Sequence, residues 1–155
     1  MCGICGIYSF NGPLEQPATL INSALETLKK RGPEVQANYC RSHVALGHSR
    51  LSIIDTSEAA NQPFWDETGE NVIIYNGEIY NVSQLRKRVM DKGVSFRTQS
   101  DTEVLLKWII ENGPAGIDDL QGFFAFAIFN KKDGSLLIAR DRFGIKPLLY
   151  HSDSQ

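Results

Sequence analysis

A chain of 155 residues, 42% hydrophobic and 22% charged, has the size of one domain and too much apolar content to be disordered. A domain of about 150 residues removes roughly 70% of its unfolded surface from water, so a sizeable core is available. Sixteen basic against eighteen acidic residues give a net charge of −2 with no block of like charge, which excludes nucleic acid or an anionic membrane as the main partner, since both need a basic face.

In chain order, residues 4–10 combine β-formers and glycines and predict a strand. Leu20, Ile21, Ala24, Leu25 and Leu28 recur at helical spacing, and Arg31-Gly32-Pro33 stops that helix. Short strands are predicted at 37–40, 44–48, 51–54 and 72–75, the last ending at Asn76-Gly77, the strongest short-range hairpin signal. A helix follows over 82–91, stopped by Gly93. Ser100 and Glu103 have capping-box spacing, with the serine hydroxyl accepting from the N–H of residue 103 and the glutamate reaching back. Val104, Leu105, Trp108 and Ile109 form that helix's apolar stripe, and Gly113-Pro114 ends it. Residues 123–129 are apolar on both faces and predict a central strand. Asp133-Gly134 then turns the chain into a strand at 136–139. No repeat or linker divides the sequence, so 1–155 reads as one α+β domain with antiparallel sheets. The chain stops just after the apolar, strand-like segment 147–150, which has nothing downstream to pair with; this pattern predicts a domain cut short at its C-terminal end.

The longest apolar stretch, residues 122–129, is far shorter than the about 20 residues that span a bilayer, and the N-terminus has no signal-peptide pattern. Three cysteines cannot all pair, which points to a reducing, cytoplasmic setting where a thiol is kept for reactivity, metal binding or packing. Cys2 follows the initiator methionine. Once Met1 is removed, its free α-amine (ordinary pKa about 7.7–8.0) can serve as general base for its own thiol; otherwise Cys2 is a small residue that happens to come second. Cys2 and Cys5 form a CxxC pair and Cys40 and His43 a CxxH pair, which together could hold a structural zinc, although the gap between the pairs is longer than most single-zinc modules use.

Asn76 and Gly77 also suit an oxyanion hole, where each donor is worth about 3–4 kcal/mol in a transition state. The planar fork of Arg50 can grip a carboxylate, and Glu78 and Asp101 suit an ammonium group. Asp101 doubles as a first-turn carboxylate favoured by the helix dipole, and Arg31 sits in a segment that needs no chemistry beyond stopping a helix. A carboxylate binder with two ammonium binders describes a site for a free α-amino acid.

Seven segments in order carry a resemblance. They are Met-Cys-Gly-Ile-Cys-Gly-Ile at 1–7, Arg-Gly-Pro at 31–33, His-Ser-Arg-Leu-Ser-Ile-Ile-Asp at 48–55, Tyr-Asn-Gly-Glu-Ile-Tyr-Asn at 75–81, Ser-Asp-Thr-Glu at 100–103, Leu-Gln-Gly-Phe-Phe-Ala-Phe at 120–126 and Arg-Asp-Arg-Phe-Gly-Ile-Lys-Pro-Leu at 140–148. Together they resemble the class II glutamine amidotransferase domain, an N-terminal-nucleophile hydrolase, and most of all the glutaminase domain of asparagine synthetases. The resemblance implies a four-layer αββα sandwich and glutamine as substrate. It also implies roles: Cys2 as nucleophile forming a glutamyl thioester, Asn76 and Gly77 as oxyanion hole, and Arg31 supporting Cys2. Arg50 would hold the substrate carboxylate, Glu78 and Asp101 its ammonium, and the main chain at Ile53 would line the pocket. No metal or cofactor is implied in this domain; ATP and magnesium belong to the synthetase domain that would take the ammonia to aspartate, and a homodimer is compatible. Lys30 and Glu34 stand where the family often has His and Asp around Arg-Gly-Pro. Sugar-phosphate, phosphoribosyl and polysaccharide-pathway amidotransferases share the nucleophile logic, and a chain that keeps Met1 would be a silent glutamine- or partner-binding module.

Overall fold

The computed structural model describes residues 1–52 and 55–153. Alternating apolar positions pair the strands into two antiparallel sheets. The first contains β1 (Gly3–Tyr8), β2 (Val35–Arg41) and β3 (Val44–Arg50) in the order β1-β3-β2. The second contains β4 (Phe64–Trp65), β5 (Asn71–Ile79), β6 (Gly122–Asn130) and β7 (Leu136–Arg140) in that order. Helix α1 (Pro17–Leu28) covers the outer face of the first sheet, and α3 (Asp101–Asn112) packs on β5 with α2 (Val82–Met90) against it. The layers therefore run α, β, β, α.

The period of two along each strand separates two apolar layers. Val44 and Leu46 of β3, Val72 and Ile74 of β5, and Ala127 and Phe129 of β6 meet between the sheets. Ile73 and Tyr75 of β5 with Phe124, Phe126 and Ile128 of β6 face the helices, against Leu85, Val89, Leu105, Trp108 and Ile109. Residues 123–129 are apolar on both faces because both faces are covered.

The structure departs from the sequence reading at four places. Asn76-Gly77 is not a turn: β5 runs straight through it, with Asn76 opposite Ala125 and Gly77 opposite Phe124, because β6 supplies a long partner from a distant part of the chain. At the start of α3, Ser100 Oγ accepts from Thr102 N at 3.0 Å, not from residue 103. The Glu103 carboxylate accepts from the N–H groups of Arg97 and Thr98 instead of Ser100. Leu51 and Ser52 lie outside any strand, and Ile53 and Ile54 fall outside the described residues. Residues 147–150 form no strand, and Leu149 and Tyr150 are exposed.

The segment 141–146 is instead ordered by one carboxylate. Asp141 accepts from the N–H groups of Phe124, Phe143, Ile145 and Lys146 at 3.0–3.2 Å. Burial pushes its pKa up, but these four donors hold it below the usual carboxylate value.

Gly32, in the Arg-Gly-Pro segment, lies on the backbone of β3: a Cβ there would sit 2.2 Å from the Ser49 carbonyl oxygen and 2.6 Å from Arg50 N. Its own carbonyl accepts from Ser49 Oγ at 2.7 Å. Gly32→Ala must push two backbone segments apart and is expected to destabilise the domain by about 1–3 kcal/mol, read as a lower urea midpoint. A midpoint equal to wild type would contradict the close approach.

Candidate active site

Between the sheets, the alternation that builds the core turns polar towards one end. Continuing the inward-facing positions brings His48 and Arg50 on β3, Asn76 and Glu78 on β5, and Phe123 on β6 to that end. The antiparallel pairing of β1 with β3 places the start of β1, and Cys2 just before it, at the same end. β5 lies against both β1 and β3 across the sandwich.

Cys2 is held by main chain. Leu51 N donates to its sulfur at 3.4 Å, and the thiol lies 3.5 Å from the Leu51 carbonyl oxygen. Arg31 Nε donates to the Cys2 carbonyl at 3.3 Å, so the Arg-Gly-Pro segment holds both β3, through Gly32, and the residue carrying the thiol. Arg50 is buried. Its Nη1 donates to the carbonyl of Ser57 at 3.0 Å and to Asn61 Oδ1, and its Nη2 donates to the carbonyl of Asp55. These bonds anchor the guanidinium in the loop after β3. Among the described residues no acceptor takes Nε–H or the second Nη2–H, an edge with the fork geometry that matches a carboxylate.

The two backbone sides of β5 have different partners. Phe124, opposite Gly77, directs its N–H and carbonyl to Asp141, so the Gly77 N–H points away from β6 towards the edge where β4 has already ended. Along that edge Tyr75 N donates to Gln62 Oε1 at 2.6 Å, and Asp101 faces the backbone at Ile79. Among the described residues no acceptor reaches the Gly77 N–H between them. The Asn76 side chain is buried, and among the described residues it too has no hydrogen-bond partner. Two adjacent residues therefore offer uncommitted donors. Only glycine fits at 77, where a Cβ would lie 2.4 Å from the Phe123 carbonyl oxygen and 2.7 Å from Tyr75 Cε2.

Tyr75 connects the carboxylates to this end. Its hydroxyl donates to Asp101 Oδ2 at 2.8 Å. Burial first, then the charge of Asp101, with smaller contributions from Glu78 and Cys2, hold the phenol well above its usual pKa, so all three lie within electrostatic range of one ring. Asp101 is itself raised by burial, against the Tyr75 bond and backbone donors at Ile79 and Thr102. Glu78 is exposed. Ile53 lies outside the described residues.

The four residues of the zinc alternative do not converge. Cys5 faces α1, its thiol pushed up to about 11 by burial, and His43 Nδ1 pairs with the Gly12 carbonyl. Among the described residues no group of three or more His, Cys, Asp or Glu could hold a metal ion. No described helix is long and apolar enough to cross a membrane.

Four participants carried no usable sequence signal. The role of Gln62 depends on β4 ending early, that of Tyr75 on a contact 26 residues away, and that of Leu51 on its main chain alone. His48 is fully buried and neither ring nitrogen has a partner among the described residues. Burial lowers its pKa to about 4, opposed by the Tyr75 backbone without a completed hydrogen bond and assisted by the Arg50 charge. It is neutral at pH 7.

Residues 1–155 match the family model described as "Glutamine amidotransferase domain". The chain belongs to that family. This amidotransferase domain is 44% identical over 153 residues to the glutamine-hydrolyzing asparagine synthetase 1 of Bacillus subtilis, covering 97% of this chain and 24% of that protein. It is 39% identical over 151 residues to asparagine synthetase B of Escherichia coli, covering 96% and 26%. The chain thus spans about a quarter of the length of these relatives. Among solved structures it resembles the glutamine phosphoribosylpyrophosphate amidotransferase of B. subtilis, with a TM-score of 0.71 at 23% identity over 91% of this chain and 37% of that one. That likeness supports the four-layer αββα sandwich.

Because the folded-state pKa of Asp101 lies above its ordinary 3.8, the folded domain binds that proton more tightly than the unfolded chain. Its contribution to stability is greatest below 3.8 and falls as pH rises through the raised value. Tyr75→Phe removes the bond that opposes this rise. The variant is expected to lose about 1–3 kcal/mol of stability at pH 7 and less as pH falls through the raised pKa of the carboxyl, by urea unfolding at pH 7 and at an acid pH. An equal loss at both would show that the phenol does not serve the charged carboxylate.

Proposed function

We propose that the domain hydrolyses the side-chain amide of glutamine to glutamate and ammonia, with Cys2 as nucleophile once Met1 is removed. The observation that carries this reading is the convergence, at one end of the intersheet layer, of the Cys2 thiol, the open edge of Arg50 and the uncommitted donors of Asn76 and Gly77.

The free α-amine of Cys2 accepts the thiol proton, and the thiolate attacks the amide carbon of glutamine. The carbonyl electron pair moves to oxygen, where the Asn76 amide and the Gly77 N–H donate to the oxyanion. As the tetrahedral species collapses, the α-ammonium gives its proton to the nitrogen, the C–N bond breaks and ammonia leaves a glutamyl thioester. Water, losing a proton to the amine, attacks the thioester, the S–C bond breaks and the sulfur is reprotonated. Glutamine and water have become glutamate and ammonia. Arg50 takes the substrate α-carboxylate, and Asp101 and Glu78 its α-ammonium. Arg31 orients the nucleophile through the Cys2 carbonyl. We place the ammonia with an ATP-dependent synthetase partner that amidates aspartate; the names of the relatives support this acceptor over a sugar phosphate.

Ammonia release from glutamine, measured on a sample whose intact mass shows loss of Met1, tests the reading. Cys2→Ala is expected to abolish release, and Asn76→Ala to lower kcat about 100- to 1000-fold with a smaller change in KM. Turnover that survives Cys2→Ala would overturn it. Retained Met1 with no release would make the chain a silent binding module.

A further inference from the structure

Lys146 is a buried ammonium without an anion. The residue is 7% exposed, and among the described residues no carboxylate comes within ion-pair distance of its Nζ. The ammonium stands 4.5 Å over the ring of Phe123, which pairs with Glu78 across β5 and β6. Among the described residues its one hydrogen-bond contact is the thioether sulfur of Met1, at 3.0 Å. Its loop is fixed independently, because Lys146 N donates to Asp141 Oδ2 at 3.0 Å and the same carboxylate takes three further N–H groups. Burying an ammonium unpaired is costly, and a thioether is a weak acceptor, so packing alone does not account for a lysine here.

The position of its single contact suggests what the charge serves. The Met1 sulfur and Cys2 N are five covalent bonds apart, which puts Nζ within about 9 Å of the nitrogen that becomes the α-amine when Met1 is removed. We infer that Lys146 is a positioning residue whose fixed charge keeps the Cys2 α-amino group in its free-base form at neutral pH. The inference rests on the reading of Cys2 as an N-terminal nucleophile that uses its own amine as base. A like charge disfavours the protonated amine, and the contacts that hold Lys146 to Phe123 and to Asp141 do not involve Met1.

Other titratable or charged groups lie towards the same end of the sandwich: Arg31 from the turn after α1, His48 and Arg50 from β3, Tyr75 and Glu78 from β5, and Asp101 from α3. Arg31 and Arg50, bonded to neutral carbonyl and amide oxygens, keep their charge and act in the same sense as Lys146; His48 is neutral at pH 7, and Glu78 and Asp101 act in the opposite sense on the amine. Lys146 is the cation in this group whose Nζ touches no oxygen among the described residues.

The test is direct titration of the α-amine in protein that begins at Cys2, by the pH dependence of its carbamylation with cyanate, counted as stable adducts on the N-terminal peptide. Lys146→Met, which keeps the contact with Phe123, and Lys146→Gln are each expected to raise the protonation midpoint by roughly half a pH unit. Lys146→Arg should leave it in place. The acidic limb of kcat/KM for glutamine should move by the same amount. A midpoint unchanged in Lys146→Met would overturn the inference, whether or not Lys146→Gln folds. A midpoint that moves in protein with no glutamine hydrolysis would uphold the charge effect and sink the glutaminase reading, so the two failures are distinguishable.

Discussion

The layer between the two sheets has to be dry, and the whole molecule follows from where it stops being so. Val44 and Leu46 on β3, Val72 and Ile74 on β5, and Ala127 and Phe129 on β6 fill it. Continuing the same inward-facing positions gives His48, Arg50, Asn76 and Glu78. A strand cannot change face without a bulge or a slip of register, so the residues that close the core also fix the direction of the polar ones beyond it. These polar groups are thereby mounted on paired strands instead of loops, and the pairing of the strands fixes their geometry.

Buried carboxylates secure the pieces that the strands do not. Asp141 gathers four N–H groups and fixes the segment carrying Lys146. Glu103 is fully buried and pairs with Lys107 at 3.0 Å. Burial pushes its pKa up, but bonds from the Arg97 and Thr98 backbone, the Thr98 hydroxyl and Lys107 bring it below the usual carboxylate value. Glu103 and the Ser100 cap set the first turn of α3, and Asp101 sits in that turn facing Tyr75. Placement of the Asp101 carboxylate is therefore a consequence of helix capping.

Most of this frame is legible in the sequence. Runs of β-formers and apolar residues identify most of the strands, helical spacing identifies α1 and α3, a glycine stop marks the end of α2, and seven ordered segments point to the family. Local rules fail where a distant partner decides. Asn-Gly between β-formers reads as a turn, yet β6 extends β5 through it, and the Gly77 N–H faces an edge that β4 leaves open. Ser100 and Glu103 have capping-box spacing, but the glutamate finds better donors at Arg97 and Thr98. Tyr75, Gln62 and Lys146 act through contacts that no local pattern encodes, and the role of Leu51 lies in its backbone, which residue identity does not report.

The central claim is that the sulfur of Cys2 becomes bonded to the glutamyl group. Acid quenching during turnover with glutamine, followed by peptide mass analysis, tests it most directly. The account predicts a γ-glutamyl thioester on the peptide that begins at Cys2, lost on treatment with hydroxylamine and absent from Cys2→Ala. A glutamyl adduct on Cys5 or Cys40 instead, with Cys2 unmodified, would contradict it.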